Sequence, residues 1–299
     1  MKVALFFIDG FGIGRVDENT NPWTGARTPG FDRLLGARGL FAEQAPWRSE
    51  LAIVLPVDPT LGVPGTPQSA TGQVALLTGQ NAPRVVGGHL SGFPRGALKD
   101  LLYEHSIFRQ LANRGLRGTF ANAFRPVFFE RQAQGFDRFS ATTHAALAGG
   151  VSIRTLEDLR AGRAVYHDIT NYTLRNYGFD VPLVEPEHAA LHLAGLIAEH
   201  DFTLFEFFLS DAAGHSQFMP AAVHRLETID RFVAVLVNNL DLSDTLLVIS
   251  SDHGNIEDLS DYDHTLNPVP VFLVGAGREA LAPQIRAISD VTPAIMSLW

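Results

Sequence analysis

The sequence predicts an α/β fold, a mostly parallel central sheet with helices on both faces. Three observations carry this. Short apolar runs recur at Val3–Ile8, Phe202–Leu209 and Leu246–Ile249. They lack the polar alternation of a strand with one wet face, so they read as strands buried on both sides. Between the last two lies Pro220–Leu240, with Val223, Leu226, Ile229, Val233, Leu236 and Leu240 at helical spacing. Strand, helix and strand of these lengths make a right-handed crossover unit of a parallel sheet. Finally, each apolar run gives way to an acid: Asp9, Asp211 and Asp252. In open parallel sheets ligands bind beyond the carboxyl ends of the strands.

Composition narrows the chemistry. The 299 residues are 46% hydrophobic, enough for a sizeable core. Cysteine is absent, which removes disulfides, zinc fingers, iron–sulfur clusters and thiol nucleophiles. The net charge of −9 argues against non-specific nucleic-acid binding. Lysine occurs only at Lys2 and Lys99, so arginine dominates the basic residues. No apolar segment approaches the roughly 20 residues of a membrane span. The opening MKVALFFIDG has no basic leader and runs straight into Asp9, as a strand does rather than a signal peptide. The expectation is a cytoplasmic protein without membrane or nucleic-acid partners; nothing in the sequence sets its oligomeric state.

In chain order, Val3–Ile8 is the first strand. The glycines at 10, 12 and 14 do not fit the dinucleotide fingerprint, because no helix opens after them. Pro29–Leu35 reads as a short helix and Leu51–Val57 as a strand. Gly62–Asn81 begins as a turn-rich loop and becomes helical from Ser69. A hydroxyl there sits at the positive end of the helix dipole, beside free N–H groups, where a phosphate would be held. A serine at a helix mouth is more commonly just a cap. Thr66 and Thr71 are the other hydroxyls nearby, and Thr71 reads as a helix residue.

Ser106–Gly115 is predicted helical and Thr119–Asn122 a strand. From about 124 to 180 no clean period appears. That stretch reads as a cap-like insertion with one or two short helices in a single domain spanning 1–299. Pro186–Glu199 is helical, Phe202–Leu209 a strand, and Pro220–Leu240 the long helix, on which Asp230 and His224 are expected at the surface. Thr245–Ile249 is a strand and Val291–Met296 a closing helix.

The chemistry concentrates at the strand ends. Asp252 and His253 stand side by side after a buried run, and His264 follows a polar loop. Burying an acid and an imidazole together is costly unless something pairs them. A borderline divalent cation would do so. The plainer alternative for this stretch alone is a solvated loop. Asp9 and Asp211, at equivalent ends, favour the metal.

These residues resemble a family. Asp9, Ser69 in QSATGQ, Asp211 and His215 in DAAGH, Asp252 and His253 in DHGN, and His264 in HTLNPVP look like the alkaline phosphatase superfamily. The most similar branch is that of cofactor-independent phosphoglycerate mutase and phosphopentomutase. The resemblance runs from Asp9 to the closing SDVTPAI. It implies two divalent ions, manganese or zinc. One would be held by Asp211, His215 and His264, and the other by Asp9, Asp252, His253 and the Ser69 hydroxyl. It implies that Ser69 attacks phosphorus and becomes a phosphoserine, on a small phosphorylated substrate. Gln68 and Gln73 stand where the family's mutases usually carry Asn and His.

Further substrate-binding candidates are His89 in a glycine-rich stretch, Arg84, Arg125 and Asn122. Arg95 and Arg131 are weighed with them; planar guanidinium forks suit phosphate and carboxylate. Singly, each arginine is more often structural. Three functions remain open: a metal-dependent phosphoric-ester hydrolase, a phosphomutase, and a non-catalytic metal-binding module. The short, arginine-rich cap favours the hydrolase.

Overall fold

The computed structural model describes residues 1–299. Seven strands form one sheet. They are β1 (Lys2–Ile8), β2 (Trp47–Arg48), β3 (Ala52–Val57), β4 (Gly118–Phe120), β5 (Phe202–Phe207), β6 (Thr245–Ser250) and β7 (Val269–Gly275). Their order is β2-β3-β7-β6-β1-β5-β4. β4, β5, β1 and β6 are parallel neighbours. β7 runs antiparallel to both β6 and β3, and β2 antiparallel to β3. The expected parallel block is present, with an antiparallel return at one side.

The helices are α1 (Pro29–Leu35), α2 (Ser69–Thr78), α3 (Ala82–Val86), α4 (Ala97–His105), α5 (Ile107–Asn113), α6 (Pro126–Ala133), α7 (Ala141–Ala148), α8 (Leu156–Arg160), α9 (Tyr172–Asn176), α10 (Pro186–Glu199), α11 (Leu209–Ser216), α12 (Met219–Asn238), α13 (Arg278–Leu281) and α14 (Val291–Met296). Side chains of a strand alternate between faces, so every buried strand feeds two cores. Ala4, Phe6 and Ile8 of β1 pack with residues of α1, α10 and α12. Val3, Leu5 and Phe7 pack on the opposite face with residues of α2, α4, α5, α7 and α14. This two-sided burial is why β1, β5 and β6 read as continuous apolar runs.

Two expectations need correction. The 124–180 stretch holds four helices, α6 to α9, rather than one or two. One of them, α7, is part of the main core through Ala141, Ala145 and Ala146. Its small residues give no amphipathic period, which is why the sequence hides it. The rest has a small cluster of its own, including Leu156, Leu159, Tyr166 and Leu174.

Asp230 of α12 is buried, not at the surface. Its carboxylate accepts hydrogen bonds from the backbone N–H groups of Gly30 (3.1 Å) and Phe31 (2.7 Å). The start of α1, whose own cap residue Thr28 makes no side-chain cap bond, thus takes its acceptor from another helix. Burial raises the Asp230 pKa to about 6, partly opposed by these two bonds.

Candidate metal centre

The carboxyl ends of β1, β5 and β6 lie side by side in register, Ile8 opposite Phe207 and Phe7 opposite Ser250. Residues just past those ends are therefore neighbours in space. Asp9 leaves β1, Asp211 stands in the first turn of α11 with His215 one turn on, and Asp252 and His253 leave β6. Close backbone approach brings these ends together. A Cβ on Gly72 of α2 would sit 2.8 Å from the Asp252 carbonyl oxygen, so α2 lies directly against the end of β6. Gly10, at φ +64°, similarly leaves no room for a side chain beside Asp211.

Ser69 is the first residue of α2, and Gln68 is the cap position but makes no side-chain cap bond. The ordinary capping role is thus not what Ser69 performs. Its Oγ lies 3.1 Å from His253 Nε2. The same nitrogen is 3.3 Å from Asp9 Oδ1 and 3.4 Å from Asp252 Oδ2. Thr71 is fully buried and its hydroxyl donates to the Gln68 carbonyl, as a helix residue would.

A second convergence lies beside the first. His215 Nε2 and His264 Nε2 are 3.2 Å apart. They lie 3.3 Å and 3.5 Å from the two Asp211 oxygens. His215 Nδ1 faces the Tyr262 carbonyl at 2.8 Å, and His264 Nδ1 faces the Pro67 carbonyl at 2.9 Å. Each carbonyl accepts a hydrogen bond from the Nδ1–H, and in the neutral rings this leaves both Nε2 atoms with lone pairs aimed at the same place. Two lone pairs and a carboxylate repel unless a cation sits among them. The His253 and His264 rings stack at 3.7 Å, joining the two clusters.

The electrostatics agree. Burial, then the Asp252 and Asp211 carboxylates, push Asp9 well above the carboxylate range. Asp252 is also raised, by burial and then Asp211. Burial and the neighbouring His264 push His253 well down. Asp9 Oδ1 and Asp252 Oδ2 are buried without a hydrogen-bond partner. Orphaned carboxylate oxygens that face each other's charge call for a cation. Two groups meet the spacing for one: Asp9, Asp252 and His253, and Asp211, His253 and His264. His215 joins the second through the distances above.

All seven positions expected to hold metal come together. Of the four substrate candidates, the structure brings Asn122 and Arg125 to the cavity above Ser69. Asn122 is committed elsewhere: its amide donates to the Glu206 carbonyl (2.8 Å) and accepts from the Glu206 N–H (2.9 Å). It holds β5 in place, and one amide N–H is all that it has left to donate. Arg84 and His89 do not line this cavity. Arg84 is exposed near the N-terminus of α3, and His89 is bonded to the Val63 carbonyl. Of the two other arginines weighed, Arg131 lines the cavity and Arg95 does not.

Several residues at the site were not singled out from the sequence. Glu257 is buried and accepts from Gly12 N–H (3.1 Å), Asn255 N–H (2.7 Å), the Asn267 amide (3.1 Å) and the Thr265 hydroxyl. Burial raises its pKa. It ties the loop after β1 to the segments carrying His253 and His264. It stands in a stretch rich in acids, where nothing local sets it apart. Asn255 donates to Asp211 at 2.6 Å and fixes that carboxylate. Gln73, already noted from the sequence as a departure, reaches Asp9 at 3.4 Å. Glu206 lines the cavity and accepts from the Thr142 hydroxyl at 2.7 Å, and burial raises its pKa to about 7. A lone acid inside the apolar run of β5 was the signal available for it.

Comparison with known proteins bears on this geometry. Residues 176–298 match the family model of the Metalloenzyme superfamily. Over 128 residues, 38% of this chain, the sequence is 29% identical to a 2,3-bisphosphoglycerate-independent phosphoglycerate mutase of Methylobacillus flagellatus, of which 25% is covered. A protein of the same name from Thermococcus gammatolerans is 28% identical over 47% of this chain and 39% of its own length. The chain therefore matches well under half the length of these relatives. Among solved structures, PH0037 of Pyrococcus horikoshii superposes with a TM-score of 0.60 at 17% identity, covering 99% of this chain and 96% of that one. The alkaline phosphatase of the Antarctic bacterium TAB5 superposes with a TM-score of 0.52 at 11% identity, over 99% and 97%. These two neighbours share the fold.

Proposed function

We propose that this alkaline phosphatase superfamily member, similar in sequence to cofactor-independent phosphoglycerate mutases, is a divalent-metal-dependent phosphoric-ester hydrolase working through a phosphoserine on Ser69. The observation that carries the reading is the placement of Ser69 Oγ at the start of α2, 3.1 Å from His253 in a cluster of unpaired carboxylate oxygens and imidazole nitrogens. Asp211, His215 and His264 would hold one ion, and Asp9, Asp252, His253 and Ser69 the other. All-oxygen-and-nitrogen ligation suits manganese or zinc. Two such ions supply charge neutralisation to the phosphoryl oxygens and favour the serine alkoxide.

The residues supply the rest. The Ser69 Oγ–P bond forms as the bond from phosphorus to the alcohol oxygen breaks, and the alcohol leaves with a proton. Water then splits the phosphoserine, giving inorganic phosphate and restoring Ser69. The positive end of the α2 dipole, at Ser69, would favour the developing negative charge. Asn255 holds the Asp211 carboxylate, and Glu257 holds the loops that carry His253 and His264. Residues 124–180, α7 apart, act as the cap of a single catalytic domain.

The sequence similarity to mutases favours a second reading, return of the phosphate to the same substrate. A mutase must keep its dephosphorylated intermediate in a sealed site with several fixed polar groups. The cap wall over Ser69 sets Phe124, Phe128, Phe136 and Phe139 beside Arg125, Arg131 and Arg138, an anion-attracting lid that supports release instead. The test follows free phosphate and isomer in parallel by NMR with manganese present. Net phosphate release with little isomerisation of phosphoglycerate or pentose phosphates is expected. Rapid isomerisation without release would overturn the hydrolase and leave the metal centre standing. No helix is long and apolar enough to cross a membrane. A cytoplasmic location, with a small phosphorylated molecule as the partner, is the reading we adopt.

A further inference from the structure

The cavity above Ser69 has walls that phosphoryl chemistry alone does not require. Asp9, Ser69 and Asp211 line it at the metal centre, and its volume is about 590 Å³. Phe93, Phe124, Phe128, Phe136, Phe139 and Phe208 also line it. Phe93, Phe136 and Phe208 are 42%, 41% and 38% exposed. Single exposed aromatics are ordinary, but several on the walls of one cavity mark a surface that an apolar partner covers.

The wall is also held in shape. Phe128 packs on Phe124 at 4.6 Å and on Phe139 at 4.9 Å between ring centres, and Phe136 meets Phe139 at 5.8 Å. The Arg138 guanidinium lies over Phe93 at 5.3 Å and that of Arg131 over Phe136 at 5.7 Å. Gln73, Arg125, Tyr166, His167 and Glu206 also line the cavity, but several of its uncharged polar groups are already bonded within the protein. Asn122 is spent on the β5 backbone, Ser140 and Thr143 are bonded to each other at 2.8 Å, and Thr142 is spent on Glu206.

We propose that the site takes phosphate esters whose alcohol is aromatic or similarly flat and apolar, its ring lying among Phe93, Phe128 and Phe136 while phosphorus sits over Ser69. The proposal rests on the hydrolase reading for turnover, but the apolar wall is testable without it. Arg131 and Arg138, beside the rings, add cationic edges to an otherwise apolar surface and favour a π-face between them.

The experiment compares 3-phenylpropyl phosphate with propyl phosphate on the manganese-loaded enzyme. The two alcohols leave with nearly equal ease, so the ratio of kcat/KM reports recognition of the ring. At least about a tenfold preference for the phenyl ester is expected, mainly through KM. Phe93→Ala and Phe136→Ala, both at exposed positions, should each cut that ratio at least about threefold. Calorimetric binding of 3-phenylpropylphosphonate and propylphosphonate, which cannot be hydrolysed, gives a second readout. Equal affinity for the two phosphonates, or faster turnover of phosphoglycerate than of the phenyl ester, would overturn the proposal. Preferential phosphonate binding without phosphate release from any ester would support the pocket and sink the hydrolase. Release from all esters without preference would do the reverse.

Discussion

Ser69 Oγ and His253 Nε2 lie 3.1 Å apart, although 184 positions separate them in the chain. The contact resembles a serine activated by a histidine base, but the surroundings of His253 argue otherwise. The imidazole is fully buried, and its pKa is pushed well down by burial and by His264. Its Nε2 also faces two carboxylates. A nitrogen so placed suits the role of metal ligand better than that of base. Ser69→Ala should therefore lose about three or more orders of magnitude in phosphate release, yet retain metal. Intact-mass and peptide mapping after quenching should place phosphate on Ser69 of the wild type. Phosphate on Thr66 or Thr71 would show that another hydroxyl is the nucleophile.

The two ligand clusters predict a metal content of up to two divalent ions per chain, consistent with the two groups of converging side chains. Elemental analysis of Asp252→Asn and His264→Ala should show loss from each variant. Unchanged content in both would refute the two-site assignment. Chelation should lower the thermal midpoint, because a ligand at 100 times its dissociation constant stabilises the folded state by about 2.7 kcal/mol. It should also leave Asp9 and Asp252 facing each other without a counter-charge.

Glu257 joins the loop after β1 to the segments bearing His253 and His264. Glu257→Ala would leave the Gly12 and Asn255 N–H groups without acceptors, at about 1–3 kcal/mol each. A loss of about 3 kcal/mol in urea unfolding is expected, with reduced metal content. Glu257→Gln keeps an acceptor oxygen and should lose less. Wild-type stability in the Ala variant would show that the carboxylate holds nothing.

Asp230 gives a pH dependence with a definite sign. Its folded pKa of about 6 lies above the ordinary value of an aspartate carboxyl. The folded state binds this proton more tightly than the unfolded one, so its contribution is full below about pH 4 and is lost as pH rises through about 6. Asp230→Asn should flatten the stability profile between those limits. Asp230→Ala should cost about 1–3 kcal/mol, because the Gly30 and Phe31 N–H groups lose their acceptor. An unchanged profile in the Asn variant would place the titration elsewhere.

The strands, and the clustering of the candidate ligand residues, were legible because each rests on local pattern. β1, β5 and β6 are buried on both faces, so every position is apolar, and the acids that end them stand out by contrast. Asp9, Asp252 and His253 follow those ends directly, so residue type and strand position mark them together, whereas Ser69, His215 and His264 were reached through the family resemblance. Helix α7 was hidden for the opposite reason. Its alanines and threonines fit a tight core without making a stripe, so no period marks it.

The tertiary structure alone decided what each polar group is free to do. Asn122 looked available for substrate until β5 took both ends of its amide. Asp230 looked exposed until α1 docked its N–H groups onto it. Glu257 carries no mark in the sequence, and only loops from distant parts of the chain, closing around it, give it a role. A sequence records which donors and acceptors exist, and strand ends in a parallel sheet place some of them by rule. Which partner each finds depends on distances across hundreds of residues, and burial makes an unmade bond too costly to leave open. The aromatic wall above Ser69 is of the same kind, since its phenylalanines form one surface only after the chain has folded.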